Sequence, residues 1–522
     1  MTDKTLVMKF GGTSVGSAAA VVQAAQIVAA TAQQWPRLVV VTSALSGVTD
    51  LLLETARTAV EAGQGAGIGR ASSAAQAVAA AAQTLRTRHT DLARAVTLGE
   101  EDPHPGPLPV GEGIKNPSPF GRRAGMRENP GMDTFPLDSL LADLNGLVDE
   151  FEQLCRAVGV LGEASPRALD AIASLGERLS VRILAAALQA RGLPAQVVES
   201  TRLIVTDGRF TNAAPDLPAT TRQARRELEP LLQAGCIPVV TGFLGATPQG
   251  FTTTLGRGGS DTSASILALA LGAAEVWIWT DVDGVMTADP RLVPEARTIP
   301  ILSYREVAEM AYYGAKVLHP RSIYPALEAG IPLRVRNTFN PCGPDTCLGP
   351  EHGPDGSPLP ASNGRGHLKA VTAIRGLQMV TLSGRGMLGV PGVAGRIFTA
   401  VATTGVSIPL IIESTSEQSI CFAAPGEAIP AVLAALRRDL GAEFARRDID
   451  CAEAGQEISI ITLICPGIRS TVGIAGRIFG VLGQAGINVQ AISYGSSDYS
   501  ISLVVAAGDL PSAVRSLHAL VD

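Results

Sequence analysis

Five short segments concentrate residue types that handle negative charge. KFGGTS at 9–14 places a lysine just ahead of paired glycines, after a short apolar run. Glycines let backbone N–H groups approach phosphate oxygens, a following helix N-terminus adds positive potential, and Lys9 supplies a full charge. The lysine precedes the glycines, so this is not the G-x-x-x-x-G-K-[ST] loop; glycines after a strand also serve as a plain tight turn. VTSALSGVTD at 41–50 puts small hydroxyls at a strand end, where open parallel sheets bind ligands or where a helix is capped. LGRGGSD at 255–261 opens another helix, with Ser260 and Asp261 expected as its caps. An arginine among glycines has open access for a bidentate grip on a carboxylate or phosphate. WTDVDGVMTADPR at 279–291 runs a strand into an acid-dense loop, either a solvated turn or a nucleotide edge. YGAKVLHP at 313–320 sets a lysine at a helix end among small residues.

These segments need elements to hold them. Over the first 100 residues, β-branched runs alternate with Ala-rich stretches: a strand at 6–10, a helix from about Ala18, a strand at 38–42, then another helix. Runs at 195–199, 237–241, 276–280 and 332–335 read as further strands, and 263–279 as a buried helix entering a strand. Such wiring predicts a mostly parallel sheet with helices on both faces. A chain of 522 residues also exceeds one core, which stops growing near roughly 250–300 residues. Periodicity breaks in the Pro/Gly-rich stretch 101–135, expected to be a disordered insertion, and again in a linker at 341–368.

Beyond that linker the sequence repeats. GVAGRIF at 392–398 recurs 81 residues later as GIAGRIF at 473–479, and the same offset pairs MVTL at 379–382 with IITL at 460–463. The expected division is therefore 1–340 for the α/β body, 369–455 for the first repeat and 456–522 for the second, in sequence or interleaved.

Composition narrows the function. At 46% hydrophobic and 17% charged residues the chain is globular, and with net charge −6 and scattered basic residues no nucleic-acid partner is expected. The N-terminus lacks the apolar stretch of about 7–15 residues of a signal peptide. The most apolar long run, 263–279, contains Gly272 and Glu275 and falls short of the roughly 20 residues a bilayer span needs. Seven widely spaced cysteines suit reduced thiols. A cytoplasmic location without membrane contact is expected.

Taken in order, KFGGTSVGS, VVTSALSGVTD, SLGERLS, TTTLGRGGSD, TDVDGVMTADPR and GAKVLHPRS resemble the aspartate kinase family, and the repeat resembles its tandem ACT domains. The resemblance is nearest to the aspartokinase half of bifunctional aspartokinase–homoserine dehydrogenases, with no dehydrogenase portion expected in a chain ending at Asp522. It implies an amino-acid-kinase fold, three-layer α/β with a mostly parallel sheet, followed by two βαββαβ ACT domains. It also implies transfer of the ATP γ-phosphoryl group to the β-carboxylate of L-aspartate, giving 4-phospho-L-aspartate, on the route to lysine, threonine and methionine. A carboxylate with pKa near 4 is ionised at neutral pH, so no general base is required and catalysis must come from alignment and charge neutralisation.

By the same resemblance Lys9 and Asp261 are catalytic: Lys9 stabilises the transferring group and Asp261 orients lysines or metal waters. Ser43, Thr49, Glu177, Arg257, Gly258, Gly259 and Ser260 bind substrate, with Arg257 on the α-carboxylate and Glu177 on the ammonium. Lys9, Phe10, Gly11, Gly12, Thr280, Asp281, Met286, Arg291, Lys316 and Val317 bind ATP, whose phosphates carry Mg²⁺ with no direct protein ligand. Some relatives have tyrosine where this chain has Met286, so a thioether contact is expected here in place of their ring stack on adenine.

ACT domains pair side by side and bind amino acids near the glycine turns, here 386–395 and 467–476, or serve only in dimerisation. The effector candidates are Ser407, Glu413, Asn488 and Tyr494. Threonine-regulated relatives carry glutamine in place of Glu413 and Tyr494, which leaves threonine, lysine or no effector open. A homo-oligomer formed through the ACT domains is expected. A glutamate or acetylglutamate kinase of the same fold would lack the ACT repeat and GRGGSD. A binding protein without activity would have no use for Lys9, Glu177, Arg257, Asp261 and Lys316 together.

Overall fold

The computed structural model describes residues 4–64, 68–99, 137–314, 318–350, 366–384, 387, 390, 392–413, 418–495 and 497–521. The insertion expected at 101–135 and residues 351–365 of the expected linker lie outside them. The chain forms two units, Met1–Gly284 with Arg321–Gly349, and Val285–Pro320 with Pro350–Asp522.

In the first unit the strand Thr5–Phe10 is buried along its whole length. It runs parallel to Arg37–Thr42 on one side and Glu275–Thr280 on the other. Runs such as LVVV at 38–41 carry apolar side chains to both faces, which only a doubly covered strand can bury. The sheet continues through Ile237–Thr241 to Ala195–Val198 on one flank, and through Leu333–Asn337 to Thr346–Gly349 on the other. The last pairing alone is antiparallel among these. Helices Ala18–Ala32, Val48–Gln64, Ile68–Leu98, Leu137–Leu161 and Pro166–Gln189 form one core with Leu6, Met8 and Phe10. Leu217–Gln233 and Gly259–Leu271 pack on the sheet outside that core, completing the three-layer α/β arrangement.

From Thr5–Phe10 the chain first adds Arg37–Thr42 and later returns on the opposite side as Glu275–Thr280. Strand order thus reverses beside Phe10, the position where open parallel sheets bind ligands at their carboxyl edge. A small antiparallel hairpin, Leu244–Ala246 with Thr252–Thr254, lies apart from the main sheet and was not legible as alternating strands.

The second unit contains a six-stranded sheet in the order Leu410–Glu413, Ser419–Pro425, Ala370–Ser383, Cys451–Ile464, Ser500–Ala506, Ala491–Ser493. Its elements recur at the expected 81-residue spacing: strands start at 370 and 451, helices at 393 and 474, strands at 419 and 500. The two long strands pair antiparallel, Ala370 opposite Ile464 and Ser383 opposite Cys451, which relates the copies by a pseudo-twofold axis. Each core draws on both strands. Val380 and Leu382 pack with Ile397, Phe422 and Ala452, whereas Val371 packs with Leu463, Ile478 and Leu503. The strand completing the second copy's sheet is thus 370–374, from the start of the repeat, and position 455/456 falls inside a continuous strand. Segment Val285–Pro320 is tied to the second copy through Lys369–Glu306 at 2.7 Å and through Ser497 and Ser500 hydroxyls donating to Glu309 at 2.9 and 2.8 Å. Among the described residues, no helix is long and apolar enough to cross a membrane.

Candidate functional site

The parallel register brings strand ends together. Phe10 lies opposite Thr42 and Trp279, and Thr42 opposite Thr241. Gly11 N and Ser14 Oγ both donate to Trp279 O, at 3.0 and 3.2 Å, and Thr338 Oγ1 donates to Ser14 Oγ at 2.7 Å. On the other side Ser43 N donates to Phe10 O at 3.1 Å and Ser46 N to Gly12 O at 3.2 Å. A Cβ on Gly12 would stand 2.9 Å from Ala44 O, so this approach of two backbones demands glycine. A Cβ on Gly11 would lie 3.5 Å from Lys9 Nζ, in ordinary van der Waals contact with it. Ser17 accepts from Ala20 N at 3.3 Å and caps Ala18–Ala32, whose positive end faces back toward the turn.

Lys9 is 8% exposed and its Nζ lies 2.6 Å from Asp261 Oδ1. The expected capping by Ser260 and Asp261 is not what forms. Helix Gly259–Leu271 is entered through Gly258, whose φ of 73° is left-handed, so Ser260 and Asp261 fall inside the first turn. Asp261 is therefore stabilised twice, by the helix dipole and by Lys9. The loop is packed closely: a Cβ on Gly259 would meet the Phe243 ring at 2.6 Å, and one on Gly242 would meet Ser260 Cβ at 2.6 Å. Beside it Thr211 and Phe243 hold left-handed φ values of 70° and 66°. Such backbone costs a non-glycine residue about 1–3 kcal/mol and persists where the surroundings over-determine it. Ser263 Oγ helps by accepting from Phe243 N at 3.0 Å. Arg257 is exposed and makes no ion pair among the described residues.

Glu177 lies on Pro166–Gln189 and is 3% exposed. Its Oε1 accepts from Ala44 N at 3.3 Å, while Oε2 is buried without a hydrogen-bond partner among the described residues. Burial pushes its carboxyl up to about 8, against a smaller lowering by the Ala44 hydrogen bond. Gly176 permits this approach, since a Cβ there would stand 2.9 Å from Ala44 Cβ. Ser43 and Thr49 are half-buried on the segment clasped between this helix and the Gly12 turn.

The remaining expected residues divide between the units. In the first, Thr280 Oγ1 donates to Asp281 Oδ1 at 3.1 Å, directly after Trp279. In the second, Met286 Sδ accepts from Thr298 Oγ1 at 3.6 Å, and the Arg291 guanidinium binds both oxygens of Asp289 at 3.0 and 2.9 Å. Lys316 and Val317 lie outside the described residues, as does part of the 386–395 turn. Ser407 and Asn488, exposed, follow equivalent helices. Glu413 and Tyr494 are exposed at the ends of equivalent edge strands, with Tyr494 Oη donating to Ile468 O at 3.2 Å.

Sequence reasoning missed three supports. Arg88 donates to Ser46 O at 3.0 Å and Gly16 O at 3.4 Å, bracing both loops from a helix whose local sequence carries no signal of it. Ser14 joins Trp279 to Thr338, as described. Asp283 accepts from Asn337 and Asn340 side-chain amides at 2.8 and 3.1 Å, and the acid-dense loop was its only signal. Among the described residues, no group of three His, Cys, Asp or Glu side chains converges to hold a metal.

Residues 4–337 match the amino acid kinase family, and 380–440 and 461–520 match the ACT domain. The chain belongs to the amino acid kinase family. It is 32% identical to the aspartokinase of Saccharomyces cerevisiae over 73% of this chain and 74% of that one. The bifunctional aspartokinase/homoserine dehydrogenase of Haemophilus influenzae is 35% identical over 73% of this chain and 44% of its own length. The chain spans about half the length of the bifunctional relatives it matches. Its fold superimposes on E. coli aspartokinase III in complex with aspartate and ADP with a TM-score of 0.71, at 28% identity and 99% coverage of both chains.

Substituting Gly12 tests the clasp. Its φ of −60° suits any residue, so Gly12→Ala acts through the close approach to Ala44 O at 2.9 Å and Ser46 N at 3.3 Å. A loss of roughly 1–3 kcal/mol is expected, read as a lowered melting temperature; an unchanged melt would mean that the 43–47 loop yields freely.

Proposed function

We propose that this protein is an aspartate kinase, transferring the γ-phosphoryl group of ATP to the β-carboxylate of L-aspartate. One observation carries the reading: three differently charged environments stand on one edge of the sheet unit, and aspartate presents one ammonium and two carboxylates to match them. The buried Lys9–Asp261 pair supplies a fixed cation beside open glycine backbone. Among the described residues, Arg257 is an exposed guanidinium without an ion pair, and Glu177 a buried carboxyl with one oxygen unpartnered.

The acceptor carboxylate needs no base, so the work of the side chains is placement and charge. Lys9 faces the oxygens that gain negative charge, and of the two turn N–H groups that of Gly12 suits the phosphates, since the Gly11 N–H is given to Trp279 O. ATP, with Mg²⁺ on its phosphates, supplies the transferable group. Asp261 holds Lys9 in one orientation. Arg257 takes the α-carboxylate, Glu177 the ammonium, and Ser43 and Thr49 border the reacting end. Ser407, Asn488, Glu413 and Tyr494, exposed and related by the repeat, are the residues proposed to meet a small amino-acid effector, and the ACT domains are the proposed seat of homo-oligomerisation.

Coupled ADP release over a panel of amino acids tests the reading. Aspartate-dependent turnover is expected, abolished in Lys9→Ala with the fold intact, whereas Arg257→Ala raises the aspartate KM about tenfold or more with a smaller effect on kcat. Near-normal turnover of Lys9→Ala would sink the assignment. Repeating the assay with threonine and with lysine tests the effector site, and flat responses to both would reject control by either.

Glu177 sets a pH dependence. In the free protein its carboxyl keeps its proton up to about pH 8, and an ammonium requires the anion, so aspartate binding expels a proton below that pH. The aspartate KM should fall as pH rises from 6 to 8, by up to about tenfold per unit, and level off above. Folding stability moves oppositely: between pH 4.5 and 8 the unfolded chain has lost a proton that the folded one retains, so this contribution declines as pH rises. Glu177→Gln should flatten the KM profile, and a wild-type profile already flat would remove Glu177 from the ammonium site.

A further inference from the structure

A second buried carboxylate sits two helical turns before Glu177. Asp170, on the same helix Pro166–Gln189, is 1% exposed and has no cationic partner among the described residues. It is held by neutral donors alone. Thr211 N donates to both its oxygens at 3.0 and 2.9 Å, Thr254 N to Oδ2 at 3.1 Å and Thr254 Oγ1 to Oδ1 at 2.7 Å. Burial pushes its carboxyl above the usual range, and these bonds oppose that.

Both donors lead into the GRGGSD loop. Thr254 ends the hairpin strand Thr252–Thr254, three residues before Arg257, and its carbonyl accepts from Ala213 N at 2.9 Å. Thr211 is one of the left-handed non-glycine residues, and its N–H is the group Asp170 holds. Next to it, Asn212 Oδ1 would stand 2.7 Å from a Cβ on Gly256, so the 211–213 turn and the loop fit against each other without slack.

A spacing of seven residues returns to nearly the same face of a helix, about 10 Å further along. One rigid element therefore carries Glu177 and, through Asp170, the base of the loop bearing Arg257. We propose that Asp170 is a positioning residue that fixes the span between Glu177 and Arg257, and so matches the site to the ammonium and carboxylate borne on one carbon of an α-amino acid. It acts through Arg257 and does not touch the substrate. This rests on the functional reading above.

Asp170→Asn keeps the shape but turns an amide NH₂ toward backbone N–H donors. The expected result is a tenfold or greater rise in aspartate KM, ATP KM within twofold of wild type, and no further rise when the change is added to Arg257→Ala. Thr254→Val removes one donor of the four bonds and decides the question if Asp170→Asn does not fold; a rise of about threefold, again confined to aspartate, is expected. An unchanged aspartate KM, equal rises for both substrates, or full additivity with Arg257→Ala would overturn the proposal. Absence of wild-type turnover would instead sink the functional reading. Tryptic cleavage after Arg257, followed by mass spectrometry, would then still test positioning: faster cleavage at that bond in the variant than in wild type supports it, and equal rates overturn it.

Discussion

A cation near the end of a fully buried central strand constrains everything around it. Lys9 leaves an apolar strand with little access to water, and an unpaired ammonium there would be costly. Its counter-charge comes from Asp261, which is 252 positions away in sequence and is delivered by a helix on the other arm of the fold. Breaking such a pair by removing one partner leaves an uncompensated buried charge, commonly worth about 3–5 kcal/mol. The sheet register, the left-handed entry at Gly258 and the close packing of Gly259 on Phe243 all serve to keep this carboxylate in place.

The same edge shows how backbone proximity replaces side-chain bulk. Gly12 against Ala44, Gly176 against Ala44 and Gly242 against Ser260 are three places where a methyl group would collide. They bring the first turn, the 43–50 segment, the Glu177 helix and the GRGGSD loop within hydrogen-bonding reach of one another. The strain at Thr211 and Phe243 is held by the buried donors and acceptors beside them. A site assembled this way is rigid because its parts are packed main chain, and its side chains need little ordering when a ligand arrives.

In the second unit, two antiparallel strands of 14 residues are shared between the ACT cores. Because Val371 belongs to one core and Val380 to the other, a shift of Ala370–Ser383 along its ladder would disturb both. The bulges between Ile374 and Leu377 and between Gln378 and Val380 mark where that strand passes from one core to the other. Sharing strands in this manner couples two domains mechanically without requiring a large interface between them.

Much of this was legible from local sequence. The β-branched runs appear as strands within a residue or two, because a doubly buried strand tolerates little else. The 81-residue repeat predicted two copies of one unit, because duplicated patterns fold alike. Glycine-flanked motifs drew attention to Lys9, Arg257 and Asp261, and the family resemblance added Glu177. What sequence could not supply was pairing at a distance. The Lys9–Asp261 contact, the brace from Arg88, the clasp of Asp170 on Thr254 and the exchange of strand 370–374 all depend on elements far apart in the chain. The cap at Gly258 in place of Ser260 and Asp261 followed the same logic, since only packing against Phe243 decides where the helix begins. Local sequence determined which groups were present and on which elements; the tertiary structure alone decided which of them meet, because meeting is set by register and close backbone approach and not by proximity in the chain.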